Sequence, residues 1–383
     1  MSGSRCESDA APPLYEDWIL TDPFSAQGPP AKHREGRGSD LEPGDVLLPR
    51  PLHLFAGRVW ADRAQLTADP TFFPERTGSF LLGWVSRLIP PAVTAAIVVV
   101  AGPAVLSAQI TIEDDLGRHV VFSEPPCRIV SLIPAVTEIV FALRAERCLV
   151  GRSMYADHPA GVASVPDVGQ AIGADVEKVL ARRPDLVLLI AGTDNARTVE
   201  LFERLGIASL VFRLNRLPGL RDTIERMGRV LDRENEADSL WNSIERQLDS
   251  VRQRTTNLRI PTVYYDIAYP PAITVGAGSY LDSLIVIAGG RNAFHGVSSP
   301  SPTVSLEAIV LRDPDIIVHP ISRTWRGAIH PTKRPLWRGL RAVTSGRVRE
   351  VDADLLHRLG PRIGEAARHL AEALHPELTG QRP

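Results

Sequence analysis

From residue 109 onward, short runs of apolar, largely β-branched residues alternate with segments whose apolar positions recur at helical spacing. Residues 128–133 and 148–151 read as buried strands, with a helical pattern over 137–143 between them. Residues 175–182 predict a helix, 184–190 a strand, 193–205 a helix closed by Gly206, and 208–212 a further strand. Strands that are apolar along their whole length and alternate with helices predict a parallel sheet covered on both faces.

The alternation stops at Leu220. Leu231, Ala237, Leu240, Trp241, Ile244, Leu248 and Val251 repeat at helical spacing, and no strand is expected before residue 254. A helix over 234–254 would be about 30 Å long, close to a domain's diameter. Strands over 262–265 and 315–319, with a helix over 280–288, then resume the pattern. The expected fold class is α/β: two lobes with parallel central sheets joined by a single long backbone helix. The boundaries are 109–232 for the N-terminal lobe, 233–256 for the interlobe helix and 257–383 for the C-terminal lobe. An internal repeat agrees. Residues 174–189 align with 304–319 at a constant offset of 130. Each copy carries a glutamate near a helix start (Glu177, Glu307), then Pro-Asp (Pro184-Asp185, Pro314-Asp315), then a strand.

The first part of the chain is different. Residues 1–75 have no sustained hydrophobic period and are broken by Pro12-Pro13, Pro29-Pro30 and Pro49-Arg50-Pro51, so they read as a mis-assigned or disordered leader. Residues 76–108 read as a signal peptide: Arg76 and Arg87, an uncharged run from Leu88, and small residues at Ser107-Ala108. The run is also long enough to span a membrane. Pro90, Pro91 and Pro103 weaken such a helix. Either reading exports the chain beyond residue 108, so a periplasmic location is expected. Gln109 rather than a cysteine stands after the cleavage point, so no lipid anchor is expected.

Composition and motifs exclude several classes. A net charge of -2 gives no electrostatic footprint for nucleic acid. The sequence has no nucleophile elbow, P-loop or HExxH motif, and Leu281 spoils the glycine fingerprint begun by Gly276-Ala277-Gly278. No catalytic residue, resident metal or cofactor is therefore expected. Among the three cysteines, Cys127 and Cys148 stand before consecutive strands that are expected to be sheet neighbours, and an oxidising compartment makes them candidates for a disulfide. Open α/β sheets hold ligands at strand ends. Tyr155, Tyr265, Asp266, Tyr269, Trp325, Asp354 and Arg358 fall there.

Three segments carry a resemblance: Ile129-Val-Ser-Leu-Ile-Pro-Ala-Val-Thr-Glu-Ile-Val-Phe141, Leu180-Ala-Arg-Arg-Pro-Asp-Leu-Val187 and Val304-Ser-Leu-Glu307. They resemble the periplasmic binding proteins of the vitamin B12, haem and ferric-siderophore ABC importers, over roughly residues 118–378. The resemblance implies a monomer that holds a metal chelate between two lobes and delivers it to membrane permease subunits. It implies that Glu177 and Glu307 dock on the permease. It also implies that Tyr155, Tyr265, Tyr269, Trp325, Asp354 and Arg358 line the ligand cleft. Tyr155-Ala-Asp157-His-Pro159 and Asp354-Leu-Leu-His-Arg358 look most like the cobalamin binders, so cobalamin is the first ligand expected. Ala171, Ala191 (or Ile190, depending on a gap) and Ser301 stand where those proteins can carry aromatics. Haem is the alternative, with Tyr155 or His357 as axial ligand, and a ferric siderophore comes third. A metal-cluster enzyme of the same architecture would need Cys or His ligands at the cleft, whereas Cys127 and Cys148 precede strands, at the opposite sheet end.

Overall fold

A computed structural model describes residues 109–170, 175–322 and 329–380, with Thr193 and Asp194 described by their backbone alone. The expected leader and signal peptide lie outside the described residues, as do Ala171 and Trp325. No described helix is long and apolar enough to cross a membrane.

A hairpin comes first, β1 (Ile110–Glu113) antiparallel to β2 (His119–Phe122). The N-terminal lobe is next: β3 (Ile129–Ser131), α1 (Pro134–Ala142), β4 (Leu149–Arg152), α2 (Val176–Ala181), β5 (Leu186–Ile190), α3 (Thr193–Arg204) and β6 (Ala208–Phe212). Its sheet runs β4-β3-β5-β6, every pair parallel. The Asp114 carboxylate pins the hairpin to this sheet. It accepts the amide N–H of Val211 in β6 at 3.2 Å and those of Leu116 and Arg118 at 3.0 Å each.

The strand-free segment after β6 is two helices, α4 (Leu217–Leu231) and α5 (Glu234–Thr255). Asp232, with φ 55°, separates them. Asp tolerates the left-handed conformation better than most residues, so no glycine marks the turn. At 22 residues, α5 is about 33 Å long.

The C-terminal lobe holds β7 (Thr262–Tyr265), α6 (Tyr280–Ile287), β8 (Arg291–Asn292), α7 (Leu306–Arg312), β9 (Ile316–Ile321), α8 (Arg341–Thr344) and β10 (Val348–Asp352). It ends with α9 (Ala353–Leu356) and α10 (Ile363–Leu374). Its sheet runs β10-β9-β7-β8, again parallel throughout. With strands counted within each lobe, both sheets have the same kind of order, with the first strand inside and the later strands outward on either side.

The sequence repeat takes the same form in both lobes. Asp175 caps α2 and Ser305 caps α7, each accepting from the backbone N–H three residues on. Arg183 (φ 48°) and Asp313 (φ 38°) then turn the chain before the two prolines. Asp185 accepts the amides of Cys127 and Arg128, just ahead of β3. Asp315 accepts the amide of Thr262, at the head of β7. In each lobe the aspartate at the foot of the strand after the repeat helix ties down the lobe's first parallel strand.

One apolar core runs from lobe to lobe along α5, joining Ile139 and Leu188 through Met227 and Ile244 to Leu284 and Leu370. Smaller clusters cover the other sheet faces, around Val130, Val187 and Phe202 in one lobe and Tyr264, Ile317 and Trp337 in the other. Gly364 lets α10 lie close on α5: a Cβ there would come within 2.5 Å of the Gln247 Cβ.

Candidate functional site

Two strand-end regions meet at the seam between the lobes. On the N-terminal side, Pro134 at the first helical position starts α1 directly after β3. One turn in, Glu138 points into the seam with its side chain 3% exposed. On the C-terminal side, Asp352 caps α9 by accepting the amides of Asp354 and Leu355 at 2.8 and 3.2 Å. That short helix delivers Arg358 across the seam. Gly360 comes up against Ala135, where a Cβ would meet the Ala135 Cβ at 3.3 Å.

The carboxylates and guanidinium groups interlock there. Glu138 accepts from Arg362 Nε and Nη2 at 3.0 and 2.8 Å, and from Arg358 Nη1 at 3.4 Å. The same Arg358 nitrogen donates to Asp157, and Nη2 donates to the Tyr155 carbonyl at 3.0 Å. Partial burial would raise the Asp157 carboxyl, but the Arg358 guanidinium outweighs it and holds the group below the usual range. A second link closes the seam nearby, where the Tyr280 N–H donates to the Asn215 carbonyl at 2.8 Å. The Tyr280 hydroxyl donates to the Leu356 carbonyl at 3.0 Å.

Tyr155 and Arg358, from opposite lobes, are thus brought together, through the tyrosine's backbone carbonyl. Asp354 lies on α9, four residues before Arg358, and accepts from Ser322 Oγ at 2.9 Å. Tyr269 is half-buried, with the Arg334 guanidinium stacked 4.2 Å from its ring centroid and Trp337 at 5.5 Å. Trp325 lies outside the described residues. Tyr265 differs from Tyr269 in its burial. As the last residue of β7 it is fully buried in the main core, because helices cover both faces of a parallel sheet. His357 follows α9. Both its ring nitrogens are buried, beside Tyr265. Burial pushes its pKa down to about 4.

The strand pattern missed three residues. Glu138 and Arg362 complete the interlobe cluster; a carboxylate inside an otherwise apolar helix signals a buried partner, but that partner is distant in sequence. Arg334 is the third. It is 1% exposed and makes bidentate bonds of 2.9 and 2.6 Å to Asp266, which also meets His319 Nδ1 at 2.8 Å. This buried triad fixes the strand ends of β7 and β9 behind Tyr269. Glu177 and Glu307 each stand at the second residue of a helix, α2 and α7, and both carboxylates are open to solvent at the helix start. Glu307's own amide and Ser305 lower its carboxyl pKa.

A family model described as periplasmic binding protein matches residues 129–355, from β3 to α9. The chain belongs to the periplasmic binding protein family. These are binding proteins rather than enzymes. Among relatives, YvrC, an ABC transporter substrate-binding lipoprotein of Bacillus subtilis, is 29% identical over 279 residues, covering 70% of this chain and 86% of its own. A vitamin B12-binding protein of Vibrio vulnificus is 26% identical over 246 residues, 64% of this chain and 89% of its own. Among solved structures, a periplasmic haem-binding protein from Pseudomonas aeruginosa superposes with a TM-score of 0.58 at 25% identity, covering 66% of this chain and 93% of that one. The two-lobed fold of this periplasmic binding protein is shared with them, and permease subunits are the partners such proteins serve.

Proposed function

We propose that this periplasmic binding protein is exported and carries cobalamin to an ABC importer. The observation that carries the reading is the meeting of Arg358 with the Tyr155-Ala-Asp157 segment across the seam. These are the two segments that look most like cobalamin binders, and vitamin B12-binding proteins stand among the relatives. In this reading the Tyr155 ring packs on the corrin face, and Arg358 and Asp354 meet its amide side chains, a donor and acceptor pair suited to neutral amides. Ala191 and Ser301, small where aromatics would add stacking area, leave room beside the ligand.

Haem is the second reading. It is favoured by the likeness to the haem-binding protein, with Tyr155 as the axial residue now that the His357 nitrogens are buried. Glu177 and Glu307 dock the two lobes on basic residues of the permease, one carboxylate per lobe at equivalent positions of the repeat.

Titration of the exported domain with cyanocobalamin and with haemin, monitored by calorimetry and absorbance, tests this. Cobalamin binding with Kd below about 1 μM, some 8 kcal/mol, is expected. Binding of haemin alone transfers the assignment to haem, and binding of neither refutes both.

A further inference from the structure

We propose that Cys127 and Cys148 form a modification site: a disulfide carrier oxidises them to an intramolecular disulfide that staples the start of β3 to the start of β4. Their Sγ atoms lie 3.0 Å apart as free thiols. The two residues precede neighbouring parallel strands, with Ile129 paired to Leu149 in register. Both backbones are fixed where the thiols meet. The Cys127 N–H is held by Asp185 Oδ2 at 3.2 Å, and the Cys148 N–H donates to the Ala145 carbonyl at 3.0 Å. Closing to the roughly 2.05 Å of a bonded pair moves the sulfurs by about 1 Å and leaves the strands in place. A metal thiolate is a poorer fit, because both oxygens of Asp185 are already taken by the amides of Cys127 and Arg128.

The exchange chemistry balances with a disulfide-bearing carrier as oxidant. Cys127 is exposed and Cys148 is half-buried, so the carrier meets Cys127 first. The Cys127 thiol loses its proton to water, and its thiolate attacks one sulfur of the carrier disulfide. The carrier's S–S bond breaks, a mixed disulfide forms, and the carrier's other sulfur leaves as a thiolate. Cys148 then gives up its proton and attacks the Cys127 sulfur, expelling the carrier's second thiolate. Two electrons and two protons pass from the cysteine pair to the carrier, which becomes a dithiol. Burial and the neighbouring Cys127 push the Cys148 thiol up to about 11. It therefore reacts as the second, intramolecular partner, where proximity offsets its low thiolate fraction.

The test incubates the full chain with oxidised glutathione and then maps alkylated and cross-linked peptides by mass spectrometry, with and without reductant. A linked Cys127–Cys148 peptide pair, lighter by two hydrogens, is expected. The oxidised protein should melt about 5–10 °C above the reduced protein, because the bond closes a short loop of the unfolded chain. Cys127→Ser, at an exposed position, should fold and lose both the cross-link and the redox-dependent shift. Two free, alkylatable thiols after oxidation, pairing of either cysteine with Cys6, or a shift that persists in Cys127→Ser would each overturn the proposal.

Discussion

The interlobe cluster makes a sharp energetic prediction at Glu138. Changing Glu138→Met removes a carboxylate that is almost wholly buried and that accepts three hydrogen bonds from two guanidinium groups. Loss of one partner from a buried ion pair costs about 3–5 kcal/mol, mostly because the other charge is left unpaired. Two features of this seam reduce that figure. Arg358 keeps Asp157 as a partner, and the Arg362 side chain is 22% exposed and can turn toward water. The expected cost is therefore about 2–3 kcal/mol, read as a lower urea midpoint at unchanged m-value. Adding Arg362→Met removes the stranded charge and replaces the pair with apolar volume. The double variant should recover more than about 1 kcal/mol relative to the sum of the single changes. A Glu138→Met loss below about 0.5 kcal/mol, or strictly additive effects in the cycle, would refute the reasoning that buried charge pairing fastens the lobes.

Three further outcomes are expected. His357 has a pKa of about 4 in the fold against about 6.5 unfolded, so its contribution is intact above pH 6.5 and is lost as pH falls toward 4; wild type should lose about 3 kcal/mol more than His357→Gln between pH 7.5 and 4, measured by urea melts at each pH. Gly276→Ala should cost about 3 kcal/mol or more in thermal or urea melts, because a Cβ would collide with the Ser299 carbonyl oxygen and sit 2.7 Å from that of Val297, both backbone atoms. Changing Glu177 and Glu307 together to Arg should leave melting and ligand binding unchanged, since both stand at the surface ends of their helices, while abolishing uptake through the cognate permease in a transport assay.

Much of this architecture was legible because it is local. The strand at 208–212 comes from a run of five residues, and the repeat from matching two short segments, 174–189 and 304–319, each of which carries its helix, turn and strand signals locally. The hairpin β1–β2 was missed because four-residue strands with mixed polarity carry little periodicity. Its stability comes from Asp114 reaching Val211, 97 residues away. The site shows the same division. Tyr155 and Arg358 were readable as strand-end residues. Glu138 became meaningful only beside Arg362, 224 residues on. The burial of Tyr265 was not readable for a physical reason: at the end of a strand covered on both faces, alternation no longer separates inside from outside.

The contact at Gly364 has a mechanical consequence. It lets α10 press along α5, while the residues just before α10 grip α1 of the other lobe through Arg358 and Arg362. Where α5 runs along the C-terminal lobe it is therefore backed by a second rod, α10, whose leading end is tied to the other lobe. Bonded rods resist bending by more than twice the stiffness of a single rod, because one must stretch while the other is compressed across the roughly 8–10 Å that separates packed helix axes. Bending α5 thus requires α10 to slide, and sliding drags Arg362 off Glu138. The lobes should keep a nearly constant spacing whether or not the seam is occupied, and ligand would enter by rearrangement of the strand-end loops that face it.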